Sequence, residues 1–131
     1  MIAAALHEQL LVHAREDFPN ECCGMIASSG DVATHVYRAA NAAASPLRYE
    51  IDGLEQYRIQ TEIEEQGWDL GAIYHSHTRS APYPSQTDIN LAFYPEALYV
   101  IVGVSDPDGE AEVRAYRIVD GEVVDAHLSV E

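Results

Sequence analysis

At 131 residues the chain is long enough for one domain with a sizeable core, and no apolar run approaches the ~18 residues of a membrane span. The formal net charge is −15, from 22 acidic residues against 7 basic ones, all of them arginine; this argues against nucleic acid and anionic membranes as partners. The opening run MIAAALHEQLLVHARED lacks a basic leader and is broken by polar residues, so it does not read as a signal peptide, and a cytoplasmic location is expected.

Apolar groups at Ala3, Leu6, Leu10 and Ala14 recur at helical spacing and predict a helix over 3–16, with Pro19 just beyond it. Cys22 to Ala27 reads as an apolar strand. Its two adjacent cysteines suit neither a structural disulfide nor a Cys-x-x-Cys zinc site, so they are expected to pack as small buried groups. Ser29-Gly30-Asp31 is a turn into a hairpin partner over 32–37. Residues 40–46 form a loop, and the alternation of Leu47, Tyr49 and Ile51 predicts a short strand.

Asp52 and Glu55 form a capping pair for a helix over 53–66, closed by Gly67. Residues 68–77 make the central strand, 78–84 a loop, and 86–93 a helix that stops before Pro95. The near-continuous apolar run 97–104 is a buried strand. A turn at Asp106-Pro107-Asp108-Gly109 leads to a strand over 110–119, and Asp120-Gly121 is a tight hairpin turn into 122–130. The expected architecture is a single mixed α/β domain over 1–131, its strands framed by about three helices.

The chemistry concentrates in Tyr74 to Leu91, YHSHTRSAPYPSQTDINL. On a strand, His75 and His77 point to one face and Ser76 to the other. Their Cα atoms then lie roughly 6–7 Å apart, close enough for two imidazoles to share one ion. Pro84-Ser85 reads as a helix start with Ser85 as N-cap and Asp88 in the first turn. Ser85-x-x-Asp88 also has the form of a capping box that needs no chemistry, and by itself His-x-His is a weak signal. The joint pattern His-x-His-x7-Ser-x-x-Asp is expected by chance in about one sequence of this composition in a thousand.

Two histidines and a carboxylate leave a coordination position for water, the form of a catalytic zinc site; the same set also suits non-haem iron. Such a site needs a general base that is not a ligand. Glu21, between the first helix and the strand and beside Gly24, is the candidate, although thirteen glutamates compete for the role. Ser85 could donate to a developing oxyanion.

Glu21 with Cys23-Gly24 after it, then His75-Ser76-His77, Ser85 and Asp88, resembles the JAMM motif of the MPN+ (Mov34-type) zinc metallopeptidases, with every element present. Asn41, Ser45-Pro46, Tyr83-Pro84-Ser85, Thr87-Asp88 and the run Tyr116 to Gly121 further resemble the bacterial members that hydrolyse a sulfur-carrier-protein–cysteine adduct. The resemblance covers most of the chain. It implies a cytidine-deaminase-like curved mixed sheet flanked by helices. It also implies one zinc ion held by His75, His77 and Asp88, with Glu21 activating water and Ser85 supporting the tetrahedral intermediate.

The implied substrate is the amide bond after the C-terminal Gly-Gly of a ubiquitin-like sulfur carrier, with release of cysteine in cysteine biosynthesis. The alternative is an isopeptidase that removes a small ubiquitin-like modifier from target lysines. A non-catalytic MPN scaffold ranks below both, since such scaffolds usually lack ligands that are all present here. A zinc deaminase is disfavoured because its His-x-Glu and Pro-Cys-x-x-Cys ligands are absent. With seven residues between His77 and Ser85 there is no room for the insertions of linkage-specific deubiquitinases. A homodimer is compatible with this reading. His7, His13, His35 and His127 are isolated and read as surface or packing residues, and Tyr83 as a residue of the substrate groove.

Overall fold

The computed structural model describes residues 1–106 and 108–131, so Pro107 of the expected 106–109 turn lies outside the described residues. The elements run α1 (Ala4–Asp17), β1 (Cys23–Ser29), β2 (Val32–Ala39), α2 (Gly53–Glu65), β3 (Asp69–His77), α3 (Gln86–Asn90), β4 (Leu98–Gly103), β5 (Glu112–Val119) and β6 (Glu122–Ala126). The strands form one six-stranded sheet in the order β2-β1-β3-β4-β5-β6. β3 and β4 are parallel and every other neighbouring pair is antiparallel, so the sheet is mixed as expected. Parallel neighbours need a long crossover, and the 78–84 loop with α3 supplies it. The crossover therefore leaves from the histidine end of β3.

Strand alternation divides the core. Ala72 and Tyr74 of β3 join Cys22, Ile26, Val100 and Val102 beneath Leu10 and Ala14 of α1. Ile73 faces the other way, with Cys23, Met25, Tyr99 and Ile118 against Ile59 and Ile63 of α2. His75 and His77 have the parity of Ile73 and lie on the α2 side. Leu10 is fully buried, and truncating such a leucine to alanine costs about 2–5 kcal/mol.

Local chemistry sets the turns. Asp120 and Gly121 both have positive φ, 52° and 81°, which a two-residue turn matched to the strand twist requires. Gly67 at φ 76° ends α2 as expected. Gly24 meets a packing need. A Cβ there would stand 2.4 Å from Tyr37 O and 2.5 Å from the Tyr74 ring, so the glycine makes room for an aromatic side chain.

Four expectations are corrected. Residues 47–51 form no strand beyond an isolated bridge between Asn41 and Ile51. Leu47 is 69% exposed, and the Asn41 side chain takes up backbone groups that a strand partner would use. Glu55 does not complete a capping box with Asp52. The Asp52 carboxylate accepts from Leu54 N at 3.2 Å, whereas Glu55 accepts the Ala40 N–H at 2.8 Å.

The third correction is α3, which ends at Asn90 rather than residue 93. Tyr94 leaves the helical path to pack under α2, where its hydroxyl accepts from Gln56 and Gln60. The fourth is the last strand, which stops at Ala126 rather than running to residue 130. Beyond it Val130 bridges Ile2, tying the two chain ends together.

Candidate metal centre

β3 ends on His75 and His77, and Ser85, three residues before Asp88, is the N-cap of α3. The capping box is formed: Ser85 Oγ accepts from Asp88 N at 3.1 Å, and Asp88 Oδ2 accepts from Ser85 N at 2.9 Å. That same Oδ2 lies 3.2 Å from His75 Nε2 and 3.1 Å from His77 Nε2, and the two Nε2 atoms are 3.1 Å apart. The cap and the cluster do not compete. The cap aims the carboxylate at the two imidazoles.

The donor set fits an ion. Tetrahedral bonds of about 2.0–2.1 Å to nitrogen and oxygen separate neighbouring ligand atoms by about 3.3 Å, close to the observed triangle. His77 Nδ1 is 2.8 Å from Ala81 O, so it carries the proton and Nε2 presents a bare lone pair. Three electron-pair donors therefore converge at a site whose residues are 1%, 3% and 8% exposed (His75, His77, Asp88). This His-His-Asp arrangement is suited to a metal.

Titration of the metal-free cluster reflects the same packing. Burial lowers the His75 pKa, outweighing the Asp88 carboxylate beside it. Burial opposes protonation of His77 too, but hydrogen bonds with Asp88 and Ala81 O reverse the direction and raise it. For Asp88, burial alone would raise the pKa. The adjoining His75 and His77 imidazoles, whose protonated forms its charge favours, and the hydrogen bond from Ser85 N hold it well below the usual carboxylate range.

Glu21 lies two residues before Cys23, which pairs with His75 across the β1–β3 ladder. The ladder continues through Ser76 N to Cys22 O at 3.1 Å, so alternation puts Glu21 on the histidine side. It is 4% exposed, and its Oε1 has no partner among the described residues. Burial, helped by Asp88 and opposed by His77, pushes its pKa up to about 8. A carboxyl in that range can exchange a proton near neutral pH. Ser85 is exposed at the rim. Its oxygen accepts from Asp88 N, which leaves its O–H free to donate outward.

The structure thus brings His75, His77 and Asp88 together, with Glu21 on the same face and Ser85 at the edge. Tyr83 is 55% exposed beside them, its ring edge-to-face with Tyr116 at 5.5 Å. Cys22 and Cys23 are fully buried, with pKa values pushed up to about 12 by burial. His13 is buried on the α1 side, 2.7 Å from Tyr74 OH, and His35 stacks on Trp68.

Sequence reasoning gave no role at the site to several supporting residues. Tyr49 stacks on His75 at 4.3 Å and 20°. Thr78 Oγ1 lies 2.9 Å from Pro19 O and 3.1 Å from Pro46 O, between the segments that flank Glu21 and Tyr49. Tyr116 OH donates to Pro82 O at 2.6 Å, pinning the crossover loop. These are contacts between segments remote in sequence, and no local spacing announces them.

The family described as prokaryotic homologs of the JAB domain (Prok-JAB) matches residues 3–119. The chain is 39% identical to a protein named CysO-cysteine peptidase from Mycobacterium tuberculosis, over 99% of this chain and 90% of that one. It is also 39% identical to a desampylase from Haloferax volcanii, over 99% of this chain and 95% of that one. A crystal structure of a JAB1/MPN domain protein from Archaeoglobus fulgidus shares the fold, with a TM-score of 0.62, 21% identity, and coverage of 98% and 96%. With a family match of that extent and those identities along nearly its whole length, the chain belongs to the prokaryotic homologs of the JAB domain.

Proposed function

We propose that this protein is a zinc-dependent hydrolase that cuts the amide bond after the C-terminal Gly-Gly of a ubiquitin-like sulfur carrier and releases cysteine. The observation that carries the reading is the convergence of His75 Nε2, His77 Nε2 and Asp88 Oδ2 within 3.1–3.2 Å of one another, beside the buried Glu21. Similarity to the CysO-cysteine peptidase over 99% of the chain supports the substrate class. In this reading residues 1–131 act as one metallopeptidase domain in a cytoplasmic setting.

His75, His77 and Asp88 would hold the ion. Zinc, when bound, polarises a carbonyl and brings the pKa of water toward about 7. Glu21 takes a proton from the attacking water and returns it to the departing amine, so the base ends the cycle as it began. The Ser85 hydroxyl donates to the carbonyl oxygen as negative charge develops there. Ala81 O, through His77 Nδ1–H, keeps the His77 ring in the tautomer that presents Nε2 to the centre.

The equal identity to the Haloferax desampylase favours a second reading, removal of a ubiquitin-like modifier from target lysines. One experiment separates the two. The zinc-loaded protein is incubated with a carrier–cysteine amide and with a carrier–lysine isopeptide, and products are followed by intact mass spectrometry. Free carrier from the cysteine adduct is expected. Cleavage of the lysine adduct alone would replace the first reading by the second, and cleavage of neither would reject both.

A further inference from the structure

The loop between β2 and α2 contributes no ligand, yet it is organised around one side chain. Asn41 Nδ2 lies 3.0 Å from Glu21 O and 3.0 Å from Arg48 O. Ser45 O, at 3.5 Å, is a third and longer contact of the same nitrogen. Asn41 Oδ1 accepts from Ala43 N at 3.0 Å and Glu50 N at 3.1 Å. A carboxamide has two N–H donors and two acceptor lone pairs, and all four are used. They connect backbone groups from Glu21 to Glu50 through one rigid plane.

Two functional side chains hang from those backbone groups. Glu21 is gripped at both of its peptide ends, its N–H by Ser45 O at 2.9 Å and its C=O by Asn41. Tyr49 sits between Arg48 and Glu50, whose carbonyl and amide are the other two groups that Asn41 holds. Its ring lies on His75 at 4.3 Å and 20°. This contact matters because His75 Nδ1 has no hydrogen-bond partner among the described residues, whereas His77 Nδ1 has Ala81 O. Metal-binding imidazoles are normally oriented by a hydrogen bond to the remote nitrogen. For His75 that work falls to the stacked tyrosine.

We propose that Asn41 is a positioning residue that holds Glu21 and, through Tyr49, the ring of His75 in mutual register. Its kinetic consequence rests on the hydrolase reading above; its structural consequence does not. Asn41→Asp isolates the role. It keeps oxygens for Ala43 N and Glu50 N but loses both donors and sets an anion against the Glu21 and Arg48 carbonyls.

The first readout is NMR of the metal-free protein at fixed pH. In the wild type the His75 ring protons should be displaced by the Tyr49 ring current, with Tyr49→Leu as the reference for its loss. Asn41→Asp is expected to move these signals toward the Tyr49→Leu positions. The wild-type Asn41 side-chain amide protons should exchange slowly with solvent. The second readout is kinetic: kcat on the carrier–cysteine adduct should fall by about 10–10²-fold with KM unchanged, the signature of lost orientation rather than lost binding.

Wild-type His75 signals in folded Asn41→Asp would overturn the proposal. So would freely exchanging Asn41 amide protons in the wild type, a measurement that stands even if the variant does not fold. If the wild type cleaves neither adduct, the hydrolase reading fails, and the NMR measurements still decide the role of Asn41.

Discussion

The Nδ1 of His77 lies 2.8 Å from the carbonyl oxygen of Ala81, four residues further along the chain. A carbonyl only accepts, so the ring proton is on Nδ1 and the Nε2 lone pair faces Asp88 and His75. The crossover loop that returns the chain to β4 therefore also sets the chemistry of the strand it leaves. Tyr116 holds that loop from β5 through Pro82 O, the residue next to Ala81.

With three protein donors on one ion, removing any one opens the centre to water and weakens retention. Wild-type protein is expected to keep one zinc per chain through dialysis. His75→Ala and Asp88→Ala should each lose it, as read by elemental analysis. One tightly held zinc in the double variant would show that the ion sits elsewhere.

The proposed reading gives Glu21 proton transfer, not ligation. Glu21→Gln preserves shape and is expected to retain zinc while turnover falls by about 10²–10⁴-fold. Loss of zinc in this variant would make Glu21 a ligand. Full activity would give proton transfer to another carboxylate.

The central cluster was legible in sequence because it is local. His75, His77, Ser85 and Asp88 span fourteen positions, and strand parity with one helix cap suffices to bring their side chains together. Most strands were readable for a similar reason, since apolar runs and turn residues mark them, whereas the mixed sheet followed only from the family resemblance. The roles of Tyr49 and Asn41 were not readable. Their partners, His75 and the Glu21 carbonyl, are remote in sequence, and the alternating Leu47, Tyr49 and Ile51 imitate a strand. The early end of α3 was hidden likewise: Tyr94 is drawn off by glutamines of α2, a contact that helix periodicity does not encode.

Ser85 caps α3, the proposed reading gives the same side chain a second role as oxyanion donor, and a substitution can separate the two. Loss of an N-cap costs about 0.5–2 kcal/mol, whereas loss of one oxyanion donor costs about 10²–10³ in rate. Ser85→Asp keeps a capping acceptor for Asp88 N but sets a negative charge where negative charge develops. The expected variant melts near the wild type and does not turn over. An active Ser85→Asp would leave Ser85 only its capping role.

His13 predicts a pH effect on stability independent of the metal centre. Burial lowers its pKa and outweighs Asp17, which alone would raise it; Arg38 adds to the lowering and Glu16 opposes it. With Nε2 toward Asp17 at 3.3 Å, the neutral ring accepts the Tyr74 hydroxyl on Nδ1 at 2.7 Å. The unfolded chain, with an ordinary histidine pKa of about 6.5, takes up the proton first as pH falls. The stabilisation is thus present above about pH 6.5 and is lost as pH falls toward the lowered native value. Denaturant titrations at pH 5 and pH 8 should show a larger drop for the wild type than for His13→Asn, which keeps an acceptor near Nδ1. Equal drops would mean that His13 titrates alike in the folded and unfolded chains.

The substrate prediction follows from the burial of the centre. His75, His77 and Asp88 are 1%, 3% and 8% exposed, so the scissile carbonyl is expected to reach them on a slender, extended backbone. Glycine has no Cβ to collide with the walls, which is why a Gly-Gly tail suits such a site. Replacing the last glycine of the carrier by valine puts a branched carbon beside the reacting carbonyl and a stiff χ1 in the approach. The valine adduct should resist cleavage under conditions that consume the glycine adduct, with intact mass spectrometry following both. Binding of the carrier body should survive, so the valine carrier is expected to inhibit cleavage of the glycine one. Equal cleavage of the two would mean that the tail is not read at the centre. A resistant valine carrier that failed to inhibit would mean that the tail supplies the binding as well as the fit.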